Sequence, residues 1–239
     1  MFKELLDLLY PRRCPICGDI VVPKDKKACP SCKIKLQVIQ EPRCKKCSKP
    51  IENIEEEYCY DCQTKHFHYK EGYALWIYDK QMRNSIADYK YHNRKEYADF
   101  YVDEILEHYS KTIKEIGADA LIPVPIHKSK LKTRGYNQAE IIASKIGEKL
   151  NILVIDDFLI RNKKTLPQKG LNDKERLKNL IQAFSLDKNR MNTYNNLNKV
   201  ILIDDIYTTG STIEACTSIL LQNGVFEVYF LSLCIGKGF

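Results

Sequence analysis

Eight of the ten cysteines lie within the first 62 residues, as four CxxC pairs: Cys14 and Cys17, Cys29 and Cys32, Cys44 and Cys47, and Cys59 and Cys62. Each pair begins fifteen residues after the one before. Two thiolates separated by two residues sit on one tight turn and aim at a common ion, and two such turns complete the tetrahedral four-sulfur shell that Zn²⁺ accepts. The ladder therefore supplies two sites. The simplest assignment is sequential, with Cys14, Cys17, Cys29 and Cys32 on one ion and Cys44, Cys47, Cys59 and Cys62 on the other. A cross-braced pairing, first turn with third and second with fourth, stays open because spacing does not decide connectivity. A thioredoxin-type dithiol would sit beside a βαβ pattern, which this region lacks. His66 and His68 follow the last cysteine and read as linker residues, since eight sulfurs already suffice. Closed four-sulfur sites leave no position for water or substrate, so the expected zinc is structural and the module depends on it to fold.

The second constellation lies near the other end. KVILIDDI (199–206) is a continuous apolar run that ends in Asp204 and Asp205, and Thr208, Thr209, Gly210, Ser211 and Thr212 stand between those acids and a helical segment. Small hydroxyl residues and a glycine at a helix N-terminus let backbone N–H groups close around a phosphate, with the helix dipole adding favourable charge. The lysine of a Walker A loop is absent, so the loop is an anion cradle of another kind. The adjacent acids suit hydroxyl donors on the same ligand, as a ribose provides. Taken alone, the two acids would equally describe a solvated strand end or a magnesium site in another phosphate enzyme, and the loop that follows argues against both. Lys128, Lys130, Lys132 and Arg134 form a basic loop after another strand end. They are either a solvated surface or a rim that meets further phosphate, with Arg134 and Gly135 the best placed because a guanidinium grips phosphate oxygens in two places.

These residues need a scaffold. Past Tyr69 cysteine nearly disappears, and strand and helix patterns alternate, so a second domain is expected from 71 to 239 behind a module over 1–68. GYALWIY (72–78), ALIPVP (120–125), 153–160, 199–206 and VYFLSLCI (228–235) read as strands. Residues 82–116 read as one or two helices with a break at His92 and Asn93, and 136–150 and 212–222 as helices. Ala139, Ile142, Ala143 and Ile146 mark the buried face of the helix over 136–150. The stretch 161–176 reads as a long mobile loop. Continuous apolar strands alternating with helices predict a mainly parallel α/β sheet covered on both faces, with ligand beyond the carboxyl ends of the strands. Cys216 and Cys234 fall in apolar surroundings and read as core.

VILIDDIYTTGST resembles the phosphoribosyl-pyrophosphate signature of type I phosphoribosyltransferases. IPVPIHKSKLKTRGYNQAE (122–140) and the run of Arg161, Gln168, Arg176, Asn179, Ala183 and Phe184 resemble the ComF family, which joins a cysteine-rich zinc module to a phosphoribosyltransferase domain. DYKYHNRKEYA (88–98) is a third, weaker match that could be a basic helix. The resemblance implies a type I phosphoribosyltransferase fold behind a small double zinc-ribbon module with four cysteines to each ion. It also implies phosphoribosyl pyrophosphate with magnesium as ligand, ribose hydroxyls on Asp204 and Asp205, and the 5′-phosphate on the 208–212 loop, with Lys128, Arg134 and Gly135 near the pyrophosphate. Pyrophosphate would leave the anomeric carbon through an oxocarbenium-like state, with closure of 161–176 excluding water and no nucleophilic side chain required. The family is associated with DNA uptake in natural competence, which makes single-stranded DNA or DNA-uptake proteins the expected partners. A binding protein for single-stranded DNA is the alternative, with Tyr89, Tyr91 and Tyr136 available to stack on bases.

The chain has 239 residues, 44% of them hydrophobic, and a formal charge of +7. That composition excludes disordered and collagen-like classes. No stretch approaches the ~18 apolar residues of a membrane span. MFKELLDLLY reads as a short amphipathic helix with Phe2, Leu5, Leu6 and Leu9 on one face, without a secretory layout, so a reducing, cytoplasmic setting is expected. Eight thiolates on two Zn²⁺ would subtract four from the charge, which weakens any global case for nucleic acid. The remaining basic clusters, 126–139 and 161–178, border the expected phosphate site.

Overall fold

The computed structural model describes residues 10–162, 180–190, 193–194 and 196–236. The expected N-terminal helix and most of the 161–176 loop, including Gln168 and Arg176, lie outside the described residues, as does Asn179.

Each ribbon is built from two kinds of turn. In the first, Cys14 N donates to Asp19 O at 2.7 Å and Gly18 N to Cys14 O at 2.9 Å; thirty residues later Cys44 N donates to Lys49 O and Ser48 N to Cys44 O at the same distances. Gly18 and Ser48 both take positive φ, 77° and 67°. The second CxxC of each ribbon starts a short helical turn, α1 (Pro30–Lys33) and α2 (Tyr60–Thr64).

The remainder is an α/β sheet. Strands β1 (Gly72–Ile77), β2 (Ala120–Pro123), β3 (Leu153–Val154), β6 (Lys199–Tyr207) and β7 (Glu227–Ile235) form a five-stranded sheet in the order β1-β7-β6-β2-β3. Every neighbouring pair in it is parallel, with Leu121 opposite Ile201 and Ile201 opposite Tyr229. The expected class, a mainly parallel α/β sheet preceded by a small double zinc-ribbon module, is what the chain adopts. Apolar strands suit it because both faces are covered. Helices α3 (Lys80–Tyr91), α4 (Tyr97–Ile116) and α6 (Gln138–Leu150) flank one face, and α7 (Ser211–Gln222) packs on the other. Asp79 caps α3 by accepting from Met82 N at 2.9 Å, and Asn93, at φ 54°, marks the expected break before α4. Cys216 and Cys234 are fully buried, as are Ala143 and Ile146.

Two expectations are corrected. Residues 153–160 are not one strand: β3 joins the main sheet, the chain turns at Asp156 and Asp157, and β4 (Leu159–Arg161) pairs antiparallel with β5 (Phe184–Leu186). Asp156 is exposed and Asp157 pairs with Arg190 at 2.7 Å, so both acids stay at the surface where the run divides. The basic segment after Pro125 is not a loop but helix α5 (Lys128–Arg134), capped by the His127 ring, which accepts from Ser129 N, and ended by Gly135 at φ 82°. No residue of α5 is buried, so no apolar period announces it.

The zinc module grips the sheet edge. Ile39 N donates to Leu75 O and Ile77 N to Gln37 O, both at 2.9 Å, so the segment between the ribbons runs antiparallel beside β1. The first ribbon lies on the α4 side, where Lys33 pairs with Glu104 at 2.7 Å and Arg12 with Asp99 at 3.5 Å. The second packs on the opposite face, sharing a hydrophobic cluster with Tyr69, Tyr207 and Phe230.

Candidate functional site

The order of the sheet locates the crevice. From β2 the chain passes through α5 and α6 to β3 on one side; from β6 it passes through α7 to β7 on the other. β2 and β6 are neighbours, so the connections diverge between them, which is where open α/β sheets bind ligands beyond the strand ends. Asp204 and Asp205 stand at that end of β6, the loop 208–210 follows them, and α5 follows β2.

Alternation along β6 sends the two acids to opposite faces. Asp205 follows Ile201 and Ile203 toward the α3, α4 and α6 side, and Asp204 follows Val200 and Leu202 toward α7. Asp205 is 4% exposed, and a buried carboxylate needs partners. Lys90 Nζ lies 2.8 Å from it, and Gln138 Nε2 donates to its Oδ2 at 2.6 Å. The Gln138 amide oxygen accepts from Arg134 Nη1, so Arg134, Gln138, Asp205 and Lys90 form one continuous chain of hydrogen bonds. Arg134 also lies over the Tyr91 ring, 5.0 Å from its centroid.

Asp204 is half-buried, and its Oδ1 accepts from Asp205 N at 2.8 Å. Burial, with the neighbouring Asp205 carboxylate, pushes its carboxyl up to about 7, against the pull of Lys90 and Arg161. Lys130 is lowered, first by partial desolvation of its ammonium on the crevice side and then by the positive charges of Arg161, Arg134 and Lys90. Four cations therefore share the space beside the acids, which is a field suited to a polyanion.

In the loop, Thr208 and Thr209 are exposed, Gly210 is buried, and Ser211 and Thr212 open α7. Gly210 sits at φ 79°, and a Cβ there would collide with the Tyr207 hydroxyl and the Phe67 ring. Glycine is required on both counts. Gly210 brings no side-chain cap to α7, so the first-turn N–H groups face the crevice end of the helix with dipole and donors together. Thr209 Oγ1 lies 3.0 Å from Ser211 Oγ.

The expected site residues are thus brought together in part. Asp204, Asp205, Thr208, Thr209, Gly210, Ser211 and Thr212 fall within one nine-residue stretch, and Arg134 reaches Asp205 through Gln138, whereas Gly135 only ends α5. Lys128 is exposed in the first turn of α5 and takes no part in that chain of hydrogen bonds. Lys90 and Gln138 were not among the expected site residues, although DYKYHNRKEYA and IPVPIHKSKLKTRGYNQAE contain them. Of the three tyrosines expected to stack on bases, Tyr89 and Tyr136 are buried, and Tyr91 is 68% exposed. His68 is more than linker: its backbone N–H donates to Glu214 at 2.8 Å, and its Nδ1 contacts the same carboxylate.

The cysteines gather as Cys14, Cys17, Cys29 and Cys32, and as Cys44, Cys47, Cys59 and Cys62, with the sulfurs of each group within 4.8 Å of one another. Zn–S bonds near 2.3 Å set sulfurs about 3.8 Å apart in a tetrahedron; Cys47 and Cys59 sulfurs are 3.6 Å apart. The two four-cysteine groups fit two structural zinc ions in the sequential arrangement. Among the described residues, no helix is long and apolar enough to cross a membrane.

Residues 5–63 match the double zinc ribbon domain family. The chain is 38% identical over 112 residues to Competence protein F from Haemophilus influenzae, covering 46% of this chain and 47% of that protein. It is 28% identical over 116 residues to DNA utilization protein YhgH from Escherichia coli, covering 48% and 49%. Competence protein ComFC from Bacillus subtilis is 25% identical over 158 residues, covering 65% and 60%. The chain thus spans about half the length of the first two relatives. Among solved structures, orotate phosphoribosyltransferase from Aeropyrum pernix overlays 62% of this chain and 66% of its own, with a TM-score of 0.34 and 14% identity. A double zinc ribbon ahead of a parallel α/β sheet, in a chain similar to Competence protein F and ComFC, fits the ComF family that the sequence resembles.

Proposed function

We propose that residues 71–239 form a phosphoribosyltransferase-like domain that binds phosphoribosyl pyrophosphate, carried behind a zinc module over 1–68, and that the protein acts in the cytoplasm during DNA uptake. The reading is supported by one arrangement above all. The crevice between β2 and β6 combines an anion loop at the N-terminus of α7, two carboxylates, and the cations Lys90, Lys130, Arg134 and Arg161. Those three parts match a 5′-phosphate, a pair of ribose hydroxyls and a pyrophosphate. The names of the relatives, competence and DNA utilization proteins, support the role in uptake.

In this reading the 208–212 loop takes the 5′-phosphate, and Asp204 and Asp205 accept hydrogen bonds from the ribose hydroxyls, with Lys90 and Gln138 holding Asp205 in place. Arg134, with Lys128 and Gly135 nearby, faces the pyrophosphate. Magnesium would accompany the pyrophosphate and supply part of its charge neutralisation. An oxocarbenium-like transition state needs position and charge from the protein and no covalent partner.

Calorimetry with phosphoribosyl pyrophosphate and Mg²⁺ tests the site. Binding should be measurable in the wild type and abolished by combining Asp204→Ala with Asp205→Ala; unchanged affinity would refute the assignment. Turnover of labelled donor against a panel of bases and amines then separates an enzyme from a binder.

A second reading, a single-stranded-DNA factor using the pocket for a strand end, is favoured by exposed Tyr91 with the Arg134 guanidinium over its ring. A salt titration decides it: absence of strand binding at low salt removes this reading.

A further inference from the structure

Three consecutive linker residues meet the phosphate loop at three points. The Tyr69 hydroxyl lies 2.8 Å from the Tyr207 hydroxyl, at the last residue of β6 before the loop. Both tyrosines are buried, and both rings pack on Phe230, Tyr207 stacked at 4.7 Å and Tyr69 edge-on at 5.0 Å. Phe67 fills the space where Gly210 lacks a Cβ and stacks on Tyr69 at 5.3 Å. His68 holds Glu214 with its backbone N–H and its ring, and Glu214 N donates to Gly210 O at 2.8 Å.

The same linker is tied at both ends to the second zinc site. Lys65 N donates to Asp61 O at 2.8 Å, one residue before Cys62. Beyond Tyr69, Gly72 N donates to Lys46 O at 2.8 Å and Ser48 Oγ to Gly72 O at 2.7 Å, and these partners flank Cys47. Lys46 Nζ also lies 5.2 Å over the Tyr69 ring. By contrast, the ion pairs of the first ribbon run to α4.

We propose that the second zinc site, acting through Phe67, His68 and Tyr69, is a positioning device that holds the 208–212 loop in its anion-binding shape, and that the first site has no such role. Glu214 gives the link an electrostatic consequence. It is 1% exposed in the first turn of α7, where a phosphate would sit. Released from His68, its carboxylate would lie buried without that partner, repel an incoming phosphate and compete for the same N–H groups. Held by His68, it leaves the helix dipole free to act on the ligand.

The affinity arm of the test rests on the functional reading above, and the exchange arm does not. Hydrogen–deuterium exchange of residues 206–214 is measured in the wild type, in Cys44→Ser with Cys59→Ser, and in Cys14→Ser with Cys29→Ser, alongside zinc content. Faster exchange in that segment is expected for the first pair only. Tyr69→Phe, which retains both ions, should show the same acceleration confined to the loop. His68→Ala should lower affinity for phosphoribosyl pyrophosphate about fivefold, the weight of one hydrogen bond, and His68→Gln, which keeps a donor, should restore most of it. Equal exchange in the two double variants, or an unaltered loop in Tyr69→Phe, overturns the proposal. If the wild type binds no phosphoribosyl pyrophosphate, the functional reading fails while the exchange result still decides this one.

Discussion

Lys90 and Asp205, 115 residues apart in the chain, meet at 2.8 Å under the mouth of the crevice, with side chains 16% and 6% exposed. The pair anchors the C-terminal end of α3 to the C-terminal end of β6. It gives a buried carboxylate a charged partner in place of the water it has lost.

Removing one partner is therefore expected to cost more than removing both. Lys90→Ala should lower stability by about 3–5 kcal/mol, because Asp205 then keeps only Gln138. Lys90→Met combined with Asp205→Asn should recover much of that loss. Urea denaturation of the three variants checks this, and additive losses would show that the pair does not act as a unit.

Asp204 predicts a pH dependence. Its folded carboxyl is raised to about 7 by burial and by Asp205, so folding favours the protonated form. That stabilisation is fully present below the ordinary value near 4 and is lost as pH rises through about 7, with a slope of at most about 1.4 kcal/mol for each step of one in pH. Relative to Asp204→Asn, the wild type should lose stability across this window. Parallel curves for the two proteins in denaturation series between about pH 4 and pH 8 would refute the prediction.

Two glycines with similar backbones should respond differently to alanine. Gly135 and Gly210 have φ of 82° and 79°, but a Cβ at Gly135 meets nothing within 4 Å, whereas at Gly210 it meets Phe67 Cε1 at 2.9 Å and the Tyr207 hydroxyl. Gly135→Ala should cost only the left-handed strain, about 1–2 kcal/mol. Gly210→Ala should cost more and also disturb the loop, visible as a larger drop in melting temperature and faster exchange at 208–212.

Zinc stoichiometry separates the two connectivities. The wild type should carry two equivalents. Cys14→Ser with Cys29→Ser should lose one in the sequential arrangement of the structure, whereas cross-bracing would lose both. Elemental analysis of purified protein reads the difference, and chelation of the remaining ion should unfold its ribbon.

Local patterns were legible without a structure because their chemistry is short-range. A CxxC turn presents two sulfurs within four residues, and VILIDDIYTTGST places acids, loop and helix start within thirteen. The strands of the main sheet and its long helices followed from apolar runs, whereas β5, the short α1 and α2, the division of 153–160, and α5, which buries nothing and so carries no periodic signal, did not.

What the sequence determined by itself was the kind of chemistry: sulfur shells for zinc and an anion loop beside two carboxylates. Only the tertiary structure decided which sulfurs share a cluster, which helices face each of the two acids of β6, and that Lys90 and Gln138 hold Asp205. It also sorted three similar tyrosines into two of the core and one, Tyr91, at the surface, and joined His68 to Glu214 across 146 residues. The reason is common to all of these. Each depends on the order of the parallel strands and on which helix covers which face, and those are set by burial of distant segments against one another, which residue spacing does not encode.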